Sequence, residues 1–161
     1  PATELASLYG PTGTALRIGA ASSEFGGQID DITDTFDVHE WSDNIEITLG
    51  GITIDPFRVD HPPATFGLRF TGPEGQVIAY SGDSGPCDAV IDLAADADIF
   101  LCEASWTHEE GRPPGIHMSG SEAGLTARRA GSGKSPTTNS QIRSPSANRN
   151  SSSRQQGESS E

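Results

Sequence analysis

From Ile45 onward, short apolar runs alternate with turn residues at the two-residue period of half-buried strands. IEITL (45–49), the Gly50–Gly51 pair and ITIDPFRVDH (52–61) read as two strands of a hairpin-like pair. ATFGLRFT (64–71) predicts a strand with Phe66, Leu68 and Phe70 on one face. The turn at Gly72–Gly75 leads to another, QVIAYSGD (76–83). CDAVIDLAA (87–95) changes to helical spacing, with Val90, Ile91 and Ala94 on one side. DIFLCEA (98–104) is almost continuously apolar, the pattern of a strand covered on both faces. SGSEAGLTARRAG (119–131) opens as a capping box, with Ser119 or Ser121 as N-cap and Glu122 three residues after Ser119, and predicts a helix.

The first third is less regular. The turn residues of YGPTGT announce a helix at ALRIGA (15–20), and residues 24–44 read as helix or irregular structure. Strands come first, then helix, strand and helix. That order predicts an α/β fold, a mixed sheet covered by helices.

The pattern stops near residue 130. Residues 131–161 hold one Ile, no aromatic residue and many Ser, Asn, Gln and Arg. Such a segment buries too little apolar surface to offset the entropy of ordering, so residues 1–130 read as the domain and 131–161 as a Ser-rich disordered tail. The charge also reverses: residues 1–130 carry six Lys+Arg and twenty-one Asp+Glu, the tail four and two. So abrupt a change is what a shifted reading frame would produce.

The net charge of -13 argues against a general nucleic-acid-binding surface. It leaves room for a phosphate ester at one point, because a metal ion supplies positive charge locally. No apolar run approaches the roughly 20 residues of a membrane span, and the first residues lack the basic start and apolar stretch of a signal peptide, so a cytoplasmic protein is expected. The two cysteines, Cys87 and Cys102, lie outside any C-x-x-C spacing and read as reduced residues packed near strand ends.

The chemistry-bearing residues sit where strands end. His61 closes FRVDH, Asp83 closes VIAYSGD, Glu103 closes DIFLCE, and His117 precedes the last helix. Imidazole and carboxylate together suit a divalent metal. Each residue has a plainer reading: His61 as a hydrogen-bonded surface histidine, Asp83 as a turn former between Gly82 and Gly85. Glu103 is harder to dismiss, because carboxylates are seldom buried unpaired. His39 and His108 read as surface residues, and Asp30, Asp31, Asp34 and Asp37 as a solvated face. GDSGP (82–86) looks superficially like the nucleophile turn of trypsin-like proteases but lacks their His and Asp contexts.

In order, YGP (9–11), VDHPPATFGLRF (59–70), VIAYSGDSG (77–85), DIFLCEASW (98–106) and HMSGSEAG (117–124) resemble the metallo-β-lactamase-fold hydrolases, in particular their ribonuclease Z-like and phosphodiesterase-like branch. The resemblance spans roughly residues 8–130. It implies a partial αββα fold and hydrolysis of phosphodiesters, of cyclic nucleotide or RNA-end type; lactones and thioesters are alternative substrates on this fold. It implies His61 as a metal ligand, Asp83 as the carboxylate bridging two Zn2+ ions (Mn2+ or Fe as alternatives), His117 as the group that protonates the leaving oxygen, and Glu103 as the acid that orients His117. Gly82 and Gly85 would let the chain turn tightly beneath the metals.

Two family features have no counterpart here: the His-x-His-x-Asp-His motif and the final His ligand. Weak metal binding and impaired activity are therefore expected. The alternative is a non-catalytic module or half-domain complemented by a partner chain, and a homodimer is compatible with either.

Overall fold

The computed structural model describes residues 5–23, 29–42, 45–107 and 111–133. Its first unit is β1 (Ala6–Gly10), α1 (Thr14–Ser22) and β2 (Phe36–Glu40), with β1 and β2 paired in parallel from Ala6↔Phe36 to Gly10↔Glu40. This corrects the reading of 24–44 as helix or irregular structure. FDVHE is five residues long and lies among acids, so little in it advertises a strand; its partner lies thirty positions upstream. Parallel pairing needs a crossover, which α1 supplies.

The second unit is a five-stranded sheet in the order β3 (Ile47–Leu49), β4 (Ile52–Val59), β5 (Thr65–Thr71), β6 (Val77–Tyr80), β7 (Ile99–Leu101). Pairing is antiparallel from β3 to β6 and parallel between β6 and β7. Pro56 is tolerated within β4 because β3 pairs only as far as Ile54, leaving that side of Pro56 open. Antiparallel alternation followed by one parallel pair has a consequence for chemistry. It brings the C-terminal ends of β4, β6 and β7 to the same edge of the sheet.

One sheet face carries the core. Val59, Val77 and Ala79 point to it and meet Val90, Leu93 and Ala94 of α2 (Asp88–Leu93) and its C-cap, with Met118 and Ala130 at the ends of α3 (Gly120–Ala130). Leu93 is fully buried and sits where a β-carbon on Gly67 would be, 2.5 Å from its Cδ2. Burial of a side chain of this size contributes about 1.5–3 kcal/mol. Arg69 donates to the carbonyls of Leu93 (2.8 Å) and Ala95 (2.9 Å), fastening the end of α2 to β5.

The opposite face is apolar and open. Ile78, Tyr80, Ile99 and Leu101, paired as Ile78↔Ile99 and Tyr80↔Leu101, are each 41–55% exposed, and Leu49 and Ile52 are both 42% exposed. The expectation that strand 98–104 is covered on both faces is thereby corrected: β7 has one covered face and one bare one.

α3 starts with the predicted box, and the structure selects Ser119: its Oγ accepts from the Glu122 N–H, while Glu122 accepts from the Ser119 N–H. Gly131 ends the helix in the left-handed region, and the Gly133 N–H donates to the Ala97 carbonyl. The first three residues of the tail thus continue the body; residues 134–161 lie outside the described residues.

Candidate functional site

The shared edge of the sheet gathers the predicted residues. His61 lies just beyond β4, Asp83 beyond β6 and Glu103 beyond β7. His117 arrives from the segment leading into α3. Ligand atoms of His61, Asp83 and His117 all lie within 4.8 Å of one another. The two imidazole centroids are 5.1 Å apart.

Hydrogen bonds set which ring nitrogens face this cluster. Glu103 is 8% exposed and its Oε1 accepts from His117 Nδ1 at 2.9 Å. Oε1 also accepts from the Ser84 N–H at 2.7 Å, and Oε2 from the Ser105 N–H at 3.2 Å. Burial pushes the Glu103 carboxyl up, but these donors outweigh it and hold its pKa below the ordinary range. An ionised carboxylate only accepts, so Nδ1 of His117 carries a proton and Nε2 is left to the site. Thr65 gives His61 a weaker version of the same arrangement. Its hydroxyl donates to the Pro63 carbonyl at 3.0 Å, so toward Nδ1 of His61, 3.4 Å away, it can only accept.

Two glycines have different jobs. Gly82 has φ +62°, a conformation that disfavours side chains. Gly85 is there for proximity: a β-carbon on it would stand 2.7 Å from Cα of Gly115. Gly115, at φ +70°, in turn abuts the Asp60 carboxylate, and the Asp60 carbonyl accepts from the Gly85 N–H at 2.8 Å. Gly85 thus meets both the segment bearing His61 and the one bearing His117 through backbone, and the Asp60 carboxylate packs against Gly115.

Sequence reasoning left several contributors unassigned. Trp106, one residue past Ser105 in EASW, meets the His117 ring edge to face with centroids 5.9 Å apart, and its backbone N–H donates to the Met118 carbonyl at 3.1 Å. Ser81 is fully buried; its Oγ accepts from the Glu103 N–H at 3.0 Å. A strand-end serine or tryptophan carries no spacing signal of its own. A groove of about 660 Å³ opens beside His61, lined by Arg58, Pro62, Pro63 and Pro114 among others, and a second of about 360 Å³ lies beside His117.

The remaining candidates lie apart. His39 stacks on Tyr9 and bonds Asp37 at 3.0 Å, while Asp30, Asp31, Asp34 and Asp37 are all exposed. His108 is outside the described residues. Cys87 and Cys102 are free and half-buried. Among the described residues, no helix is long and apolar enough to cross a membrane.

The donor set at the edge, two imidazole nitrogens and a carboxylate oxygen, fits a divalent metal ion. Residues 4–136 match the model of the beta-lactamase superfamily domain. The chain belongs to the metallo-β-lactamase superfamily. It is 56% identical over 126 residues to the protein Rv1339 of Mycobacterium tuberculosis, covering 78% of this chain and 46% of that protein. It is 31% identical over 145 residues to the ribonuclease Z of the same organism, covering 78% and 53%. In structure it is similar to the metallo-β-lactamase fold protein YhfI from Bacillus subtilis, with a TM-score of 0.63 and 22% identity over 82% of this chain and 51% of that one. The resemblance read from the five motifs and the predicted fold class both hold. The chain spans about half the length of the curated relatives it matches. Membership makes it part of a hydrolase family with a His/Asp site fitted to metal.

Proposed function

We propose that this chain carries the leaving-group side of a metal-dependent phosphodiester hydrolase. The observation behind this reading is the convergence of His61, Asp83 and His117 within 4.8 Å, with Nδ1 of His117 held by a buried carboxylate. Similarity to a ribonuclease Z supports phosphodiesters as the substrate class.

His61 and Asp83 would hold the ion, zinc for preference and manganese or iron as alternatives. Bound there, the ion supplies positive charge against the phosphate oxygens and acidifies water. The chain's own groups do the rest. Glu103 keeps His117 oriented, with Nδ1 bonded to the carboxylate and Nε2 turned to the site. When the ring carries a second proton, Nε2 gives it to the departing oxygen as water's oxygen bonds to phosphorus and the leaving P–O bond breaks; the proton released by that water restores the ring. The groove beside His61 is large enough to take one arm of a small diester. Two candidate ligands, His61 and Asp83, are few for a two-metal centre, so weak binding and low turnover are expected of the chain alone.

Metal analysis combined with hydrolysis of bis-p-nitrophenyl phosphate tests this. Weak binding of added zinc is expected, with slow turnover that disappears in His117→Ala and His61→Ala. Turnover unchanged in both variants would overturn the site; tight stoichiometric zinc with fast turnover would overturn the impairment.

The bare apolar face favours a second reading, a half-domain completed by a partner. Ile78, Tyr80, Ile99 and Leu101 form a contiguous exposed patch, of the kind that marks interaction surfaces. Light scattering after gel filtration decides: a folded monodisperse monomer argues against it.

A further inference from the structure

The geometry points to Arg112 as a positioning residue for His117, acting through Glu122. The inference rests on the reading of His117 as the proton-donating group.

Gly115 and Ile116, next to His117, are half-buried, but ahead of them Gly111, Pro113 and Pro114 are exposed and only Arg112 is half-buried. Its Nη1 and Nη2 donate to Oε2 and Oε1 of Glu122, both at 2.9 Å, with side chains 19% and 26% exposed. A two-point guanidinium–carboxylate pair fixes orientation as well as distance. Most surface ion pairs contribute little because both partners remain free to move. Here one partner is already fixed: Oε2 of Glu122 accepts from the Ser119 N–H and hydroxyl, both at 2.8 Å.

The chain of contacts runs from Arg112 to Glu122 to Ser119, two residues past His117. It closes a loop around the histidine. The far wall of that loop is Gly115 against Gly85, and its inner end is the His117–Glu103 bond. Arg112 thus fixes the start of the segment and the α3 cap its end, and the imidazole is held between them. Lysine cannot reproduce the fork, since its ammonium offers a point charge in place of two parallel donors.

The test needs neither metal nor turnover. Nitrogen-15 shifts of the His117 ring in the full chain report which nitrogen carries the proton. The wild-type ring is expected to show a single Nδ1–H form bonded to Glu103. Arg112→Gln is expected to shift this toward the mixture of a free imidazole, with Arg112→Lys in between and Arg128→Gln, elsewhere on α3, unchanged. A wild-type pattern retained in Arg112→Gln, whether or not its melting temperature falls, would overturn the proposal and reduce the pair to a structural bond. If the pattern shifts as expected but wild-type protein cleaves no diester, the positioning role stands and the hydrolase reading falls.

Discussion

Oε1 of Glu103 accepts from His117 Nδ1 at 2.9 Å and from the Ser84 N–H at 2.7 Å, so one buried oxygen joins the segments that follow β6 and precede α3. The bond spans fourteen residues of sequence. Glu103→Gln keeps the shape but removes the charge that fixes the tautomer. Loss of such an orienting partner typically costs about 10–100-fold in activity. That loss, with a small change in melting temperature, is the expected result in the bis-p-nitrophenyl phosphate assay. Glu103→Ala should also destabilise the fold by about 1–3 kcal/mol, because it strips the Ser84 N–H of its acceptor; urea unfolding measures this.

Gly85→Ala puts a methyl group 2.7 Å from Gly115 Cα, a contact only backbone movement relieves. Overpacking of this kind costs about 1–3 kcal/mol, and the displaced segments carry Asp83 and His117. Zinc affinity should fall in parallel. Gly124→Ala, inside α3 with Arg128 as its nearest neighbour at 3.9 Å, should instead stabilise by about 0.5–1 kcal/mol. Equal melting temperatures for the two variants would contradict the close-approach argument.

Glu122 supplies an acid-sensitive element. The guanidinium of Arg112 beside it and the Ser119 N–H hold its carboxyl at about 2, against an ordinary value of 4.5. The charged form is favoured in the folded state, so its contribution is complete above about 4.5 and is lost as pH falls through about 2. Thermal melts from pH 6 to pH 2 should show this component in wild type and lack it in Glu122→Gln.

Cys102 should be a slow thiol. Burial pushes its pKa up to about 11, leaving little thiolate at pH 8. Iodoacetamide followed by mass spectrometry is expected to label it slowly in the folded protein and rapidly in urea. Fast labelling of the folded chain would count against its burial.

The open sheet face predicts behaviour in solution. Ile99→Asp with Leu101→Asp removes two apolar side chains that are 49% and 55% exposed. Association seen by light scattering should decrease while the melting temperature changes little, since neither side chain packs in the core. A large drop in melting temperature would mean that this face is covered in the folded chain.

Much of the candidate site was legible as local pattern before folding was considered. Strand-ending His61, Asp83 and Glu103, and the box at Ser119 and Glu122, are local patterns: alternation, turn glycines and cap spacing act within a few residues. The strand Phe36–Glu40 was not legible, because its partner lies thirty residues away and α1 intervenes. The bare face of β7 was misread for a related reason: an apolar run states what a strand could bury, and only packing decides what covers it.

The sequence by itself determined the residue types, their order and the local elements that carry them, because propensity and periodicity are short-range. Tertiary structure decided that three strand ends share one edge, that Gly85 exists for contact with Gly115 in place of a turn, and that Glu103 faces His117 and Ser84 together. Those are consequences of sheet order and register, which no window of the sequence contains.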